Sequence, residues 1–160
     1  MIPPEELRRH VIRPVLGRLA RFDSRLGGAA SEQLMLGTAI AESRLAAFQQ
    51  RGGPALSMFQ IEPATFADIY KRYLRSRPGL LEAVRAFMLP GLRPLEQLAG
   101  NQHFACAIAR VKYWMSPRPL PAPGDLDALG AYWKAVYNTS LGAGEASRWA
   151  SLYRKYAEKE

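Results

Sequence analysis

The sequence LMLGTAIAES, residues 34–43, is the stretch on which the fold assignment depends, because it joins a long uncharged run to a single acid. No charged residue occurs from Leu34 to Ala41, and Glu42 follows directly. Apolar residues at helical spacing predict an α-helix from about Glu32 to Phe48, with Ser31 as its N-cap. On such a helix no basic residue lies three or four positions from Glu42.

The chemistry of Glu42 depends on what surrounds its carboxyl group. Arg44 is expected about 200° around the helix from Glu42, on the opposite side, by the 3.6-residue period. If Glu42 is partly buried, loss of hydration raises the pKa of its carboxyl, and a general acid that works near neutral pH needs such a raised pKa. A Glu near a helix end is more commonly exposed to solvent, so both interpretations stay open at this point.

Helical periodicity continues through the rest of the chain, and no run of alternating β-branched residues predicts a sheet. We therefore expect an all-α fold, or nearly so. The first helical segment should cover residues 4–26, with Pro14 kinking or splitting it and Gly27 and Gly28 ending it. Later helices are expected at about residues 63–75, 79–89, 101–115, 125–137 and 145–158, with a loop at 49–61 that contains a short extended piece.

The length of 160 residues fits one domain with a substantial core. We expect a single domain over residues 1–160, composed of an N-terminal helical segment (1–28) and a main domain (31–158). Prolines 117, 119, 121 and 123 predict an extended strap across this domain.

The net charge of +8 and the isoelectric point near 10.0 favour contact with anionic partners. Nucleic acid, anionic lipid and the acidic polymers of a bacterial envelope all satisfy this condition. No helix-turn-helix, zinc-finger or RNA-binding signature is present, so a nucleic-acid partner is the least favoured of these.

Cysteine and histidine usage predicts neither a disulfide nor a metal site. Cys106 is the single cysteine, in an apolar context that indicates a buried structural thiol, and His10 and His103 are far apart in the sequence. We expect no metal and no cofactor. The N-terminal residues lack the pattern of an export signal, and no apolar run is long enough to span a bilayer, so synthesis in the cytoplasm without a signal peptide is expected.

Two further segments carry residues suited to a sugar ligand. The loop GGPALSMFQIEPAT, residues 52–65, could fold back over the end of the Glu42 helix and line a groove with apolar contacts and one amide. In LGAYWKAVYNTSLGAG, residues 129–144, three aromatic side chains precede Asn138, which opens a loop. Sugars offer apolar faces and polar edges that such residues recognise, although packing in the core is the commoner role of any single ring.

Together these motifs resemble the lysozyme-like superfamily, and specifically the soluble lytic transglycosylase domains. The resemblance rests on Glu42-Ser43, on Met58 to Ile61 with Pro63 and Thr65, and on Ala131 with Tyr137-Asn138. It covers roughly residues 31–158. What it implies is a helical lysozyme-like fold in which Glu42 is the catalytic acid and base.

The resemblance also implies a set of substrate-binding residues: Ser43, Ser57, Met58, Phe59, Gln60, Tyr137 and Asn138. Gln60 would lie along the glycan groove, and Tyr137 would hydrogen-bond or position the Glu42 carboxylate. In that family the Glu cleaves the bond between N-acetylmuramic acid and N-acetylglucosamine in peptidoglycan, and a 1,6-anhydro ring closes without water. The substrate's own acetamido group replaces the second carboxylate of ordinary glycosidases.

Two interpretations follow for the biological role. The first is an enzyme that cleaves peptidoglycan glycan strands, carried in a phage virion or released for lysis, and acting in the periplasm or cell wall. The second is a virion structural or assembly protein that has a lysozyme-like fold, contacts other virion proteins and has weak or no catalysis.

Overall fold

The computed structural model describes residues 1–138 and 144–158 and confirms the all-α prediction, with 68% helix, 2% strand and no sheet among these residues. The loop predicted to begin at Asn138 lies, over residues 139–143, outside the described part. The α-helices are α1 (Pro4–Leu7), α2 (Arg13–Phe22), α3 (Ala29–Ser43), α4 (Pro63–Ala67), α5 (Pro78–Arg85), α6 (Pro94–Gly100), α7 (Gln102–Trp114), α8 (Leu126–Trp133) and α9 (Ala146–Ala157).

Wider and tighter helical turns extend several of these helices. A π-helical turn, Arg8–Ile12, joins α1 to α2, whose second residue is Pro14, which has no N–H to donate. Further π-helical turns, Asp68–Tyr73 and Lys134–Asn138, follow α4 and α8. Short 3-10 turns, Ser24–Leu26 and Leu74–Ser76, end the helical segments that begin with α1 and α4.

Helix α3 differs from the sequence prediction at both ends. It begins at Ala29, with Gly28 in the N-cap position at φ +94°, so the assignment of Ser31 as N-cap is wrong. The Ser31 hydroxyl is instead buried in the first turn without a hydrogen-bond partner among the described residues. The helix ends at Ser43 rather than Phe48, because Arg44 and Leu45 both adopt left-handed backbone angles. Glu42 therefore lies in the last turn.

The other predicted helices occur within a few residues of their expected bounds. Helix α6 was not predicted, since Pro90, Gly91 and Pro94 indicate a loop. Its N-terminus is stabilised locally: the Arg93 backbone N–H donates to the Glu96 carboxylate at 2.8 Å.

Helix α9 packs against α3 and α8 around the buried ring of Trp149. Two glycines allow this close approach. A Cβ at Gly37 on α3 would overlap the Trp149 indole, and a Cβ at Gly130 on α8 would lie 2.6 Å from the Ala146 carbonyl oxygen. These contacts fix the end of α3 beside the end of α8, which is where Glu42 and Trp133 meet.

The segments without helix are fastened to this framework. Single β-bridges pair Leu56 with Gln49 and with Ile61, so the predicted loop folds back on itself. The proline strap, residues 117–123, crosses the domain as predicted: the Tyr132 hydroxyl donates to the Arg118 carbonyl at 3.0 Å. The Gly124 N–H just beyond it donates to the Gln33 side chain at 2.7 Å. In the described part of the chain, no helix is long and apolar enough to cross a membrane.

Candidate active-site groove

A groove of about 520 Å³ opens where the end of α3, the loop before α4, and helices α7, α8 and α9 come together. It contains four of the residues that the sequence singled out: Glu42, Gln60, Tyr137 and Asn138. The remaining lining residues are Ala41, Arg44, Gln50, Glu62, Thr65, Lys112, Trp133, Gly144, Glu145, Arg148, Trp149 and Leu152.

Glu42 is half-buried in this groove, and one side chain among the described residues donates to it. The indole N–H of Trp133 donates to Glu42 Oε1 at 3.1 Å. Burial raises the pKa of the Glu42 carboxyl, and the Trp133 hydrogen bond and the charges of Lys112 and Arg44 oppose that rise. Because burial is the largest of these effects, the pKa of Glu42 is higher than that of a solvated glutamate, as the sequence argument required of a general acid.

Lys112, on α7, is the cation that local spacing around Glu42 did not reveal. Its Nζ donates to the Tyr137 carbonyl at 2.7 Å and lies 3.9 Å from the centroid of the Tyr137 ring. Burial lowers the pKa of Lys112, whereas the negative charges of Glu42 and Glu62 favour its protonated form. Lys112 therefore gives Glu42 a nearby positive charge that spacing along the helix did not predict, although burial still has the larger effect on the pKa of Glu42.

Arg44 also lies in the groove, so its expected position on the opposite side of the helix is wrong. The 3.6-residue period applies only while the helix continues, and α3 ends at Ser43. With φ at +54°, the chain turns and the Arg44 guanidinium donates to the Ile40 and Ala41 carbonyls at 2.9 and 2.6 Å. Arg44 thereby satisfies the last carbonyls of α3, next to Glu42.

Tyr137 lines the groove but does not donate to the Glu42 carboxylate. Its hydroxyl donates to the Phe59 carbonyl at 2.6 Å, and its ring stacks on Tyr113 with the centroids 5.0 Å apart. Tyr113 in turn shares a 2.7 Å hydrogen bond with Thr38 on α3. Tyr137 therefore connects the loop before α4 to Tyr113 on α7 and, through Tyr113, to α3, which carries Glu42. Trp133 makes the hydrogen bond to Glu42 that the resemblance implied for Tyr137.

The two amides from the sequence analysis lie along the groove. Gln60 has φ +50° and donates from Nε2 to the Ser57 carbonyl at 2.7 Å. The Asn138 side-chain oxygen accepts from Lys134 Nζ at 2.8 Å. Both side chains are half-buried, so their remaining polar atoms can face a ligand.

Four other residues that the resemblance implied as substrate-binding do not line the groove. Ser57, Met58 and Phe59 are buried at 0%, 2% and 0% exposure. The Ser57 hydroxyl accepts from the Phe59 N–H at 3.1 Å, which fixes the turn in which Gln60 is presented. The Ser43 hydroxyl donates to the Ala39 carbonyl within α3 at 3.0 Å. These four residues therefore lie outside the lining of the groove, and the hydrogen bonds of Ser57 and Ser43 are made to the adjacent backbone.

Sequence reasoning missed Lys112 and the role of Trp133. Lys112 carries a signal in the sequence, since it and Arg110 are the only Lys or Arg residues in the otherwise apolar stretch FACAIARVKYW, residues 104–114. Trp133 was noted as one of three clustered aromatics, but its partner is 91 residues away in the chain. Two exposed acids, Glu62 and Glu145, also line the groove and carry no motif.

The arrangement can move a proton. One carboxyl with a burial-raised pKa faces a groove that has polar donors, aromatic surface and a half-buried lysine. Cys106 is fully buried, and burial raises the pKa of its thiol, which fits the predicted structural role. In the described residues no three His, Cys, Asp or Glu side chains are grouped so that they could hold a metal ion.

A comparison of this chain with protein-family models, with curated proteins and with solved structures finds no match. The chemistry of the groove is therefore the evidence for function.

Proposed function

We propose that this protein cleaves peptidoglycan glycan strands as a lytic transglycosylase, with Glu42 as its catalytic acid and base. The proposal depends on the environment of the Glu42 carboxyl. This group is half-buried at a groove, its pKa is raised by burial, and it accepts a hydrogen bond from the Trp133 N–H. A groove of about 520 Å³ has the size of known ligand sites, and its mixture of rings and amides suits a sugar.

The chemistry requires only one carboxyl group from the protein. Protonated Glu42 gives its proton to the oxygen of the muramyl–glucosaminyl bond as that bond breaks, and the substrate's acetamido oxygen forms a bond to C1. The resulting Glu42 carboxylate then takes the proton from the muramyl 6-hydroxyl. The freed 6-oxygen displaces the acetamido oxygen from C1, which closes the 1,6-anhydro ring and restores protonated Glu42.

Lys112 and Trp133 suit the second half of this cycle. When Glu42 has lost its proton, the carboxylate keeps a donor at Trp133 and a nearby positive charge at Lys112. When Glu42 is protonated it carries no charge, so burial in the groove is less unfavourable for it than for the carboxylate. The groove thus supports both protonation states, which a residue acting as acid and then base must occupy in turn.

The biological setting that we propose is a phage virion or a lysis system, in which the protein reaches the cell wall. The positive net charge favours encounter with an anionic wall polymer. The second candidate is a virion structural or assembly protein. It is favoured by three leucines near one another in the sequence, Leu89, Leu92 and Leu95, which are 52%, 44% and 42% exposed and could contact a protein partner.

The test is digestion of purified sacculi by the native protein and by Glu42→Gln, with mass spectrometry of the released muropeptides. Anhydro products, lighter than hydrolysed ones by one water molecule and formed only by the native protein, support the transglycosylase. Hydrated products that are lost in the variant would replace it with a hydrolase. If neither protein releases muropeptides over a range of pH and salt, the catalytic proposal fails and the structural role takes its place.

A further inference from the structure

A second pocket, of about 490 Å³, lies beside the C-terminal half of α7 and under the proline strap. Its lining contains three arginines and, among the described residues, no acid. The arginines are Arg25, Arg110 and Arg118; the other lining residues are Tyr113, Trp114, Ser116, Pro117, Pro119, Leu120 and Tyr132. This pocket shares no lining residue with the groove that contains Glu42.

Arg110 is the unusual member, because it is a buried cation with no acidic partner in the described part of the chain. Arg110 is only 2% exposed, and no described carboxylate forms an ion pair with it. Nε donates to the Leu26 carbonyl at 2.9 Å and Nη2 to the Arg25 carbonyl at 3.1 Å. Nη1 makes no hydrogen bond to any described residue, so this guanidinium retains donors for a ligand.

A buried charge that lacks a counter-ion is unfavourable, and carbonyl dipoles compensate it only in part. Burial lowers the pKa of Arg110 to about 10, so the guanidinium remains charged at neutral pH. The charge of Arg25 is already compensated by Asp23 at 2.8 Å. Arg118 is exposed and forms no ion pair with a described residue, which leaves two uncompensated positive charges at this pocket.

Beside the arginines, the pocket is lined mainly by aromatic rings and prolines. The guanidinium carbons of Arg25 and Arg110 lie 5.0 and 5.9 Å from the centroid of the Trp114 ring, which is only partly buried. Pro117 and Pro119 of the strap also line the pocket. A ligand that fits these surroundings needs an anionic end and a flat, weakly polar body.

We infer that this pocket binds a small oxyanion, a carboxylate or a phosphate ester, that is attached to a flat apolar group. The oxyanion accepts hydrogen bonds from the free donors of Arg110 and from Arg118, in the bidentate geometry that guanidinium groups favour. The flat group packs on Trp114 and the strap prolines. This site stands independently of the proposed cleavage of peptidoglycan.

The inference is tested by isothermal titration calorimetry on the full chain with three probes: 1-naphthoate, 1-naphthyl phosphate and the neutral 1-naphthalenemethanol. We expect at least one anion to bind at a single site with a dissociation constant below about 1 mM, and the alcohol to bind at least tenfold more weakly. The tighter of the two anions identifies the preferred oxyanion. Equal binding of the alcohol, or no binding of either anion up to about 10 mM, would overturn the inference.

Variants assign the site. Arg118→Ser should weaken anion binding by about fivefold, as expected for an exposed charge contact, and Trp114→Leu should weaken it further. Arg75→Ser is the matched control, since Arg75 is an exposed arginine outside this pocket. Equal weakening in Arg75→Ser and Arg118→Ser would show binding to general surface charge and overturn the assignment. Arg118 and Trp114 are chosen because replacing buried Arg110 removes two hydrogen bonds of the fold itself.

Discussion

The indole N–H of Trp133 donates to the carboxylate of Glu42 at 3.1 Å, and this hydrogen bond joins the ends of α3 and α8. Trp133 is almost completely buried, so its ring cannot swing away without disturbing the core. The bond holds the carboxylate in one direction and lowers the pKa of Glu42 against the effect of burial. Trp133 is therefore a positioning residue for the proposed catalytic group.

Trp133→Phe should reduce the rate of peptidoglycan cleavage by about tenfold or more, since a hydrogen bond to a charged group contributes roughly 1.5–3 kcal/mol. Because the lost donor had lowered the pKa of Glu42, the pH–rate profile should also move to higher pH. Trp114→Phe is the control, because Trp114 lines the second pocket and not the groove. A slower variant whose pH profile is unchanged would indicate a packing defect alone.

Lys112→Met should raise the pKa of Glu42 still further, because the charge of Lys112 lowers it in the native protein. Lys112→Arg keeps the charge and should leave the titration close to native. The measurement is a carbon-13 NMR titration of the carboxyl groups, in which the Glu42 signal is identified by its absence in Glu42→Gln. If Lys112→Met leaves the Glu42 titration where it was, the electrostatic coupling of the two groups is refuted.

Glu42→Gln should be more stable than the native protein at about pH 7.5, by roughly 0.5–2 kcal/mol, as is common when an active-site residue is removed. Burial raises the folded-state pKa of Glu42 above 4.5, so the native fold holds this proton more tightly than the unfolded chain does. That stabilisation is complete below the unfolded pKa and is lost as the pH rises through the folded pKa. Gln is uncharged at every pH, so its burial carries no such pH-dependent cost.

Urea unfolding at about pH 4 and about pH 7.5 checks this prediction, and the advantage of Glu42→Gln should shrink at the lower pH. Glu62→Gln is the control, because Glu62 lines the same groove but is exposed; its stability should stay within about 0.5 kcal/mol of native at both pH values. A Glu42→Gln variant that is less stable than native at the higher pH would contradict the account.

Gly37→Ala should destabilise the fold by about 1–3 kcal/mol, since the added methyl group would overlap the buried Trp149 ring between α3 and α9. Gly17→Ala provides the matched control. Gly17 is exposed within α2 and has no atom within 4 Å of the added Cβ, so alanine there should stabilise by up to about 1 kcal/mol through helix propensity. Thermal unfolding of both variants measures the difference. Equal effects would mean that α3 and α9 can separate at no cost.

Helix content was predictable from sequence because the apolar spacing repeats over most of the chain. The bounds of α3 were not, because they depend on backbone conformation and burial. Gly28 occupies the N-cap position of α3 with a positive φ, and helix propensity does not distinguish it from an ordinary loop glycine. Ser31 is buried by its neighbours and does not cap the helix. Arg44 and Leu45 adopt left-handed angles that few non-glycine residues take, so no local pattern predicts the end of the helix there.

Part of the candidate site was predictable for a similar reason. Glu42, Gln60, Tyr137 and Asn138 belong to motifs that can be recognised locally, and all four line the groove. Which donor meets which acceptor could not be inferred, since the Tyr137 hydroxyl reaches Phe59 and the Trp133 indole reaches Glu42 across long chain separations. Such pairings are set by how helices pack.

The catalytic role of Glu42 is tested by the rate at which purified peptidoglycan is solubilised by native protein, Glu42→Gln and Glu62→Gln at equal concentration. We expect Glu42→Gln to lose about 10²–10⁴-fold of the rate, the usual contribution of a general acid or base, while Glu62→Gln stays within about threefold of native. A native rate in Glu42→Gln, or an equal loss in both variants, would show that Glu42 is not the catalytic group.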